Sequence, residues 1–356
     1  MLPDLATPCL VVDAAVLRSN IERMASSAAE LGVALRPHAK THKSPAIAAL
    51  QLEAGAVGLT VATLSEALVF AESGVRDLFV AYPLWLDAAR APLLRRLEEL
   101  GLDLTVGCDS AEAASQIVRY SSDPSRIRVL VEVDSGQHRS GVVPEGAGSL
   151  ARAVRAAGLD VRGVFTFPGH GYLPGGREGA AHEEAVALAE ASASVRNAGI
   201  EVSVVSGGST PTLEYVDAGT ATELRPGVYV FGDAQQWELG SCPPDRVALT
   251  CLASVVSTRE GRVVLDSGSK ALGADRPPWA SGFGRLLDHP GARVVQLSEH
   301  HAVVEWTDAP TPARGERLRV VPNHVCNAVN LADELAVVSD GVLTDRWPVA
   351  ARGATT

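Results

Sequence analysis

What most constrains this chain is an alternation. Between Val33 and Gly232, short apolar runs of strand length recur, and stretches with helical spacing separate most of them. Strands are expected from Val33 toward Lys40 and at Val57–Ala62, Asp77–Ala81, Asp103–Gly107, Ile127–Asp134, Val161–Phe167, Val202–Ser206 and Val228–Gly232. Helices are expected at Ser65–Ser73, Asp87–Leu100, Ala111–Tyr120, Gly146–Ala157 and Arg177–Ala198. Ser44-Pro45 is a good N-cap and first-turn pair for another. Eight strands, mostly with intervening helices, are the arithmetic of an α/β fold of the (β/α)8 TIM type. Periodicity cannot show closure, so a doubly wound open sheet is the alternative. No G-x-G-x-x-G follows the first strand, which counts against dinucleotide binding.

The pattern changes after about residue 240. Cys242-Pro243-Pro244 reads as a linker, and beyond it β-rich runs with Gly turns occupy Leu249–Thr258, Arg262–Asp266, Ala292–Leu297, Ala302–Trp306, Leu318–Val321 and Leu335–Ser339. No long helix is legible there. We therefore expect a barrel over residues 14–240 and a mostly-β domain over 1–13 and 241–356. Strand Thr7–Val12 joins the latter. Asp13 can cap the following helix, where Leu17, Ile21, Met24, Ala28 and Leu31 fall at helical spacing.

Composition narrows the partners. Of 356 residues, 46% are hydrophobic and 21% charged, which excludes global disorder. Basic minus acidic residues is 31 − 42, or −11, which argues against a nucleic-acid or anionic-membrane partner. No apolar run approaches the roughly 18 residues of a membrane span. Met-Leu-Pro-Asp-Leu at the N-terminus lacks the basic and apolar regions of a signal peptide. The five scattered cysteines form no CxxC and fit a reduced, cytoplasmic setting.

Only three of the 31 basic residues are lysines: Lys40, Lys43 and Lys270. Arg has taken nearly every generic cation position, so a retained lysine points to a need for an amine, and Arg cannot form a Schiff base. Two of the three lie in His38-Ala39-Lys40-Thr41-His42-Lys43-Ser44, whose other reading is a solvated basic turn. In a barrel, the C-terminal ends of strands carry the chemistry. Lys40 ends the first strand, and alternation places Arg36, His38 and Lys40 on one side. Asp134–Gly141, Pro168–Tyr172 and Ser206–Thr210 follow later strands. Ser206-Gly207-Gly208-Ser209-Thr210 suits an anion, because glycines free backbone N–H groups to converge and hydroxyls add donors. A phosphate loop and a lone amine in one barrel mouth together suggest pyridoxal phosphate.

Thr7-Pro8 with Leu10–Asp13, then Arg36–Lys43, Asp134–Gly141, Gly169-His170-Gly171-Tyr172, Ser206–Ser209, Glu223–Tyr229, Asp266–Asp275 and Pro322-Asn323-His324-Val325-Cys326 run in order along the chain. Together they resemble the D-threonine aldolase and D-serine dehydratase family, fold-type III pyridoxal-phosphate enzymes related to alanine racemase. The resemblance implies that Lys40 carries the Schiff base, with Lys43 a neighbouring cation. It implies that Arg139 faces the pyridine nitrogen, that Tyr172 and Tyr229 contact the cofactor, and that Gly208 and Ser209 hold its phosphate. His170 reads either as an acid or base beside the substrate or as a structural histidine.

In an extended segment His324 and Cys326 project to one face, so one cation can take both. Imidazole with thiolate favours Zn²⁺, with Mn²⁺ or Mg²⁺ as alternatives. The implied activity is that of a cytoplasmic lyase on D-β-hydroxy amino acids, a small-molecule enzyme without nucleic-acid or membrane partners. A D-serine dehydratase-like outcome gives a 2-oxo acid and ammonia. A D-threonine aldolase outcome gives glycine and an aldehyde. His-x-Cys resembles the dehydratase branch, and Val329-Asn330-Leu331 the aldolase branch. A racemase, a pyridoxal-phosphate carrier and a metal hydrolase using His38, His42 and His170 are the other readings. The resemblance also implies a homodimer whose β domain covers the partner's barrel.

Overall fold

The computed structural model describes residues 5–259 and 261–356; the first four residues, on which much of the N-terminal reading falls, lie outside them. The chain forms two compact units. One comprises Ala25–Lys40, Gln51–Gly227 and Ala354–Thr356, and the other holds the residues up to Met24, Thr41–Leu50 and Val228–Gly353.

The chain opens on β1 (Cys9–Asp13) and α1 (Ala14–Glu30). Asp13 Oδ1 accepts the Ala15 and Val16 N–H groups, each at 3.0 Å, so it caps α1 as its type and position foretell. The first unit is built on β2 (Ala34–Leu35), β3 (Leu59–Val61), β4 (Asp77–Pro83), β5 (Asp103–Cys108), β6 (Arg128–Glu132), β7 (Asp160–Phe165), β8 (Val204–Gly207) and β9 (Glu223–Leu224). The helices along this stretch are α2 (Pro45–Glu53), α3 (Leu64–Glu72), α4 (Ala91–Glu99), α5 (Ala111–Tyr120), α6 (Ala147–Ala156) and α7 (Arg177–Asn197). The eight strands pair in the order β2-β9-β8-β7-β6-β5-β4-β3. The two ends meet through a parallel bridge between His38 and Thr60 and an N–H···O bond from Thr60 to Pro37 of 2.8 Å. The sheet is therefore a closed barrel rather than an open doubly wound one.

Phe79 and Phe165 fill the barrel interior edge to face, 5.1 Å between centroids, packed with Leu130. Position 107 must be glycine, because a Cβ there would lie 2.7 Å from the Phe165 ring. Arg225 sits over both rings and is paired throughout. Its Nε donates to Ser206 Oγ (2.8 Å) and its guanidinium to the Thr166 carbonyl. Ser206 Oγ donates to Glu223, which with Asp77 pairs Arg36 at 2.6 Å each. A buried charge without such partners would cost several kcal/mol.

Two strands depart from the sequence reading. The first ends at Leu35, and Lys40 lies in a 3-10 turn over Ala39–Thr41, so alternation does not align Arg36, His38 and Lys40. Pro37 lacks an N–H and interrupts the ladder. The eighth strand is Glu223–Leu224, and Val228–Val230 is a 3-10 turn beyond Pro226 and Gly227.

The second unit adds α8 (Ala234–Glu238), β10 (Leu249–Arg259), β11 (Arg262–Leu265), α9 (Ser269–Leu272), β12 (Gly284–Leu286), β13 (Arg293–Leu297), β14 (Ala302–Glu305), β15 (Arg317–Pro322), α10 (Val325–Leu331), β16 (Glu334–Ser339) and β17 (Val342–Pro348). Its sheet order is β11-β14-β13-β12-β15-β10-β1-β16-β17, and a further β10–β11 pairing closes six strands on themselves. β1 runs antiparallel to β10 and parallel to β16, so the N-terminal strand does join this sheet. Cys242-Pro243-Pro244 is not a linker, because Cys242 packs in a buried cluster with Ala234, Val247 and Val321. All five cysteines are free thiols. Among the described residues, no helix is long and apolar enough to cross a membrane.

Candidate active site

In the barrel unit three strand ends converge on one aromatic ring. Lys40 Nζ lies 5.6 Å from the centroid of Phe167, and Arg139 Cζ lies 5.4 Å from the same centroid. Both are within cation–π range. The Tyr172 ring is 6.1 Å away at 38°. Phe167 stands two residues past β7, followed by Pro168. The sequence marks it only as an apolar strand end.

Arg139 belongs to a loop whose shape is set locally. Asp134 Oδ1 accepts the Gly136 and His138 N–H groups at 3.0 Å each, and Oδ2 takes His138 Nδ1 at 2.7 Å. Burial works to raise the Asp134 carboxyl, but the bonds from His138 and Gly136 outweigh it and hold the pKa below its ordinary value. Ser140 Oγ donates to Glu132 Oε1 at 2.8 Å. Burial pushes the Glu132 carboxyl up, against that bond and the charge of Arg139.

His170 occupies a 3-10 turn over Gly169–Tyr172. Its Nε2 is 2.8 Å from Glu183 Oε2, close enough for an ion pair but not angled as a hydrogen bond. Gly136 makes room for this pair, since a Cβ there would lie 2.9 Å from Glu183 Oε2.

At the end of β8, Gly208 has φ +80, and a Cβ on it would lie 2.9 Å from Leu224. Only glycine suits both demands. Ser209 follows, buried, and its N–H and side chain both meet Thr212 Oγ1 at 3.1 and 3.0 Å. The Gly208 N–H donates to Glu184 Oε1 at 2.7 Å. Glu184 lies on α7, and burial pushes its carboxyl up to about 7. Nothing in the sequence singles Glu184 out from other helical acids.

Tyr229, His324 and Cys326 belong to the second unit. The extended reading of His324–Cys326 is corrected here. His324 (φ −126, ψ 107) is the N-cap of α10, and Cys326 lies in that helix's first turn. The pair still associates, because a helix start folds the next residues back over the cap. Burial works to lower the His324 imidazole, but Cys326, Asp233 and Asp275 around it outweigh burial and raise it to about 9. Cys326 Sγ also meets Thr41 Oγ1 at 3.3 Å. His324 Nδ1 is 3.9 Å from Asp233 Oδ2, which accepts the Val325 N–H at 3.2 Å. The sequence reading missed Asp233, which is the N-cap of α8, its Oδ1 accepting the Gln236 N–H at 2.8 Å. Lys43 Nζ donates to Asn330 Oδ1 at 2.7 Å.

The barrel residues fit pyridoxal phosphate: a primary amine and a guanidinium gather at one aromatic ring, in the unit whose Gly208 turn has no room for a Cβ. His324 and Cys326 fit a borderline-soft cation such as Zn²⁺. Among the described residues no group of three or more His, Cys, Asp or Glu that could hold a metal ion is present. His38, His42 and His170 form no such group either. His42 Nδ1 instead accepts the Ser44 N–H at 3.1 Å.

The family of alanine racemase N-terminal domains matches residues 12–235, and the serine dehydratase domain family matches residues 248–338. D-Threonine aldolase of Arthrobacter sp is 36% identical over 98% of this chain and 93% of its own length. D-threo-3-hydroxyaspartate dehydratase of Delftia sp. (strain HT23) is 34% identical over 90% of this chain and 91% of its own. The solved structure of that dehydratase matches with a TM-score of 0.87 at 31% identity, covering 97% of both chains. That of D-threonine aldolase from Filomicrobium marinum matches at 0.88 and 30%, covering 99% of this chain and 97% of its own. The chain belongs to the D-threonine aldolase and D-serine dehydratase family, pyridoxal-phosphate-dependent lyases of the alanine racemase fold that act on D-amino acids.

Proposed function

We propose that this lyase is D-serine dehydratase-like and converts D-β-hydroxy amino acids to a 2-oxo acid and ammonia. It uses pyridoxal phosphate on Lys40 and a metal ion, Zn²⁺ before Mn²⁺ or Mg²⁺, on His324 and Cys326. The observation that carries the reading is the placement of His324 and Cys326 together at the start of α10, as its N-cap and a first-turn residue. In a D-threo-3-hydroxyaspartate dehydratase a histidine and a cysteine two positions apart have each been replaced by alanine, and the cysteine variant was solved in a metal-free form. The spacing is that of His324 and Cys326.

Pyridoxal phosphate, when bound, supplies an electron sink for bonds at Cα, and the metal supplies a Lewis acid for the β-hydroxyl. Lys40 would hold the cofactor through its aldehyde, and its amine would serve as the base for the Cα proton. Arg139 would stand at the pyridine nitrogen and, because a guanidinium keeps its proton, would leave the ring a weaker electron sink than a carboxylate partner would. Gly208 and Ser209 would hold the phosphate, Tyr172 and Tyr229 would contact the cofactor, and His170, with Glu183 beside it, would serve as acid or base. We propose a cytoplasmic homodimer.

The aldolase reading has its own observation. Asn330, within Val329-Asn330-Leu331, is fixed by Lys43, and the Arthrobacter relative is an aldolase. Incubation with D-serine, D-threonine and D-3-hydroxyaspartate separates the two. Ammonia with a 2-oxo acid is the expected outcome; glycine with an aldehyde in its place overturns the dehydratase assignment. Comparable turnover of the L-isomers contradicts both.

A further inference from the structure

The peptide joining Gly207 to Gly208 is held at both of its polar ends. The Gly207 carbonyl accepts the Arg225 N–H at 2.9 Å, and the Gly208 N–H donates to Glu184 Oε1 at 2.7 Å. The two partners come from different layers. Ser206 turns its hydroxyl into the barrel interior, toward Glu223 and Arg225. Strand alternation then sends position 207 outward, toward α7. A Cβ at 207 would lie 2.6 Å from Glu184 Oε1 and 3.1 Å from Leu188, so the outward face is filled by these two α7 side chains. Glu184 therefore reaches the loop from behind, on the side away from the barrel interior. It is fully buried in a helix whose other inward residues here are Ala180, Ala181, Ala187, Leu188 and Ala191. A carboxyl among alanines and leucine carries a desolvation cost that a purely packing position would avoid.

We propose that Glu184 is a positioning residue for the phosphate loop. By fixing the Gly208 amide from the helix layer, it sets the turn that presents Ser209 and the residues after it to the cofactor phosphate. The inference rests on the proposed role of Gly208 and Ser209. Its prediction concerns the phosphate alone: the carboxyl of Glu184 tunes how much the protein gains from that group and leaves recognition of the pyridine ring unchanged. Glutamine keeps an acceptor of the same reach, whereas leucine keeps the volume and removes the acceptor.

The test is a titration of cofactor-stripped, full-length protein with pyridoxal phosphate and, separately, with pyridoxal, read by absorbance, for the unaltered chain and for Glu184→Leu, Glu184→Gln and Gly208→Ala. Circular dichroism confirms folding, and Glu184→Ser, too short to reach the amide, replaces Glu184→Leu if the latter does not fold. We expect Glu184→Leu to lower the preference for pyridoxal phosphate over pyridoxal about tenfold, the size of one hydrogen bond to a charged or buried group. Glu184→Gln should restore most of it, and Gly208→Ala should lower it at least as much. If Gly208→Ala lowers the preference and Glu184→Leu does not, the role of Glu184 is overturned while the phosphate loop stands. If neither changes it, the loop assignment fails, and the inference falls with it. An equal loss of both ligands in Glu184→Leu marks a general structural defect and also overturns the proposal.

Discussion

In the barrel unit Lys40, Arg139 and Tyr172 stand five to seven residues beyond the ends of β2, β6 and β7, and fold together on Phe167. In the second unit His324 and Cys326 are near neighbours in sequence, and a single helix start joins them. The first cluster depends on closure of a whole sheet, so its members are separable by mutation of distant strands. The second depends on one turn of backbone and on Asp233 behind it. Nonlocal assembly gives the barrel a platform with several supports; local assembly leaves His324 and Cys326, the proposed metal ligands, dependent on one helix start.

That contrast can be broken most sharply at Lys40. Lys40→Arg keeps the charge but cannot form a Schiff base, and we expect turnover to fall by at least about a thousandfold. Borohydride reduction of the unaltered protein should place the pyridoxyl group on Lys40 in a peptide map. A label on Lys43 or Lys270 would remove Lys40 from the barrel cluster.

Next in size is the metal pair. Cys326→Ala should lose most of the bound metal and about a hundredfold or more of the activity on β-hydroxy substrates, while the cofactor absorbance persists. Chelation should mimic it, and Zn²⁺ should reverse chelation but not the substitution. Cys326→Asp should shift the preference toward Mn²⁺ or Mg²⁺. Full activity of metal-free protein would separate the second unit's pair from the chemistry altogether.

The aromatic platform should yield a smaller effect. Phe167→Leu keeps an apolar strand end but removes the ring under Lys40 and Arg139. We expect cofactor affinity to weaken about two- to tenfold, the range of an aromatic contact, together with a shifted cofactor band. An unchanged band and affinity would show that Phe167 is only packing.

The smallest effect concerns stability and pH. Glu184 has an ordinary value of 4.5 and is raised to about 7 in the folded chain. Between those values the folded chain holds more protons than the unfolded one, so this carboxyl's contribution is full below about 4.5 and is lost as pH rises toward 7. Glu184→Gln cannot titrate. The difference in Tm between the unaltered chain and Glu184→Gln should therefore move in favour of the variant between pH 5 and pH 8. A difference that stays constant over that range contradicts the shifted carboxyl.

Six of the eight barrel strands and the five long barrel helices were legible within a few residues, because apolar periodicity is a local property. The short strands were not. Ala34–Leu35 and Glu223–Leu224 are two residues each and owe their place to neighbours on both sides. β17 was missed because most of its residues are exposed, so no apolar run marks it. β12 is three residues long and is defined only by its pairing with β13 and β15.

The sequence by itself determined the β/α alternation, the change of character after residue 240, the scarcity of lysine that leaves only Lys40, Lys43 and Lys270, and the order of motifs that relates the chain to its family. Each of these is written in spacing or residue type and survives without knowledge of any contact. Only the tertiary structure decided that the sheet closes through His38 and Thr60, that Phe167 is the ring shared by Lys40, Arg139 and Tyr172, and that Glu184 reaches the Gly208 amide from another layer. It also replaced the extended His324–Cys326 segment with a helix start. These features pair residues far apart in sequence, or depend on where a ladder stops. The free energies that fix them come from closure and burial, which no local pattern records.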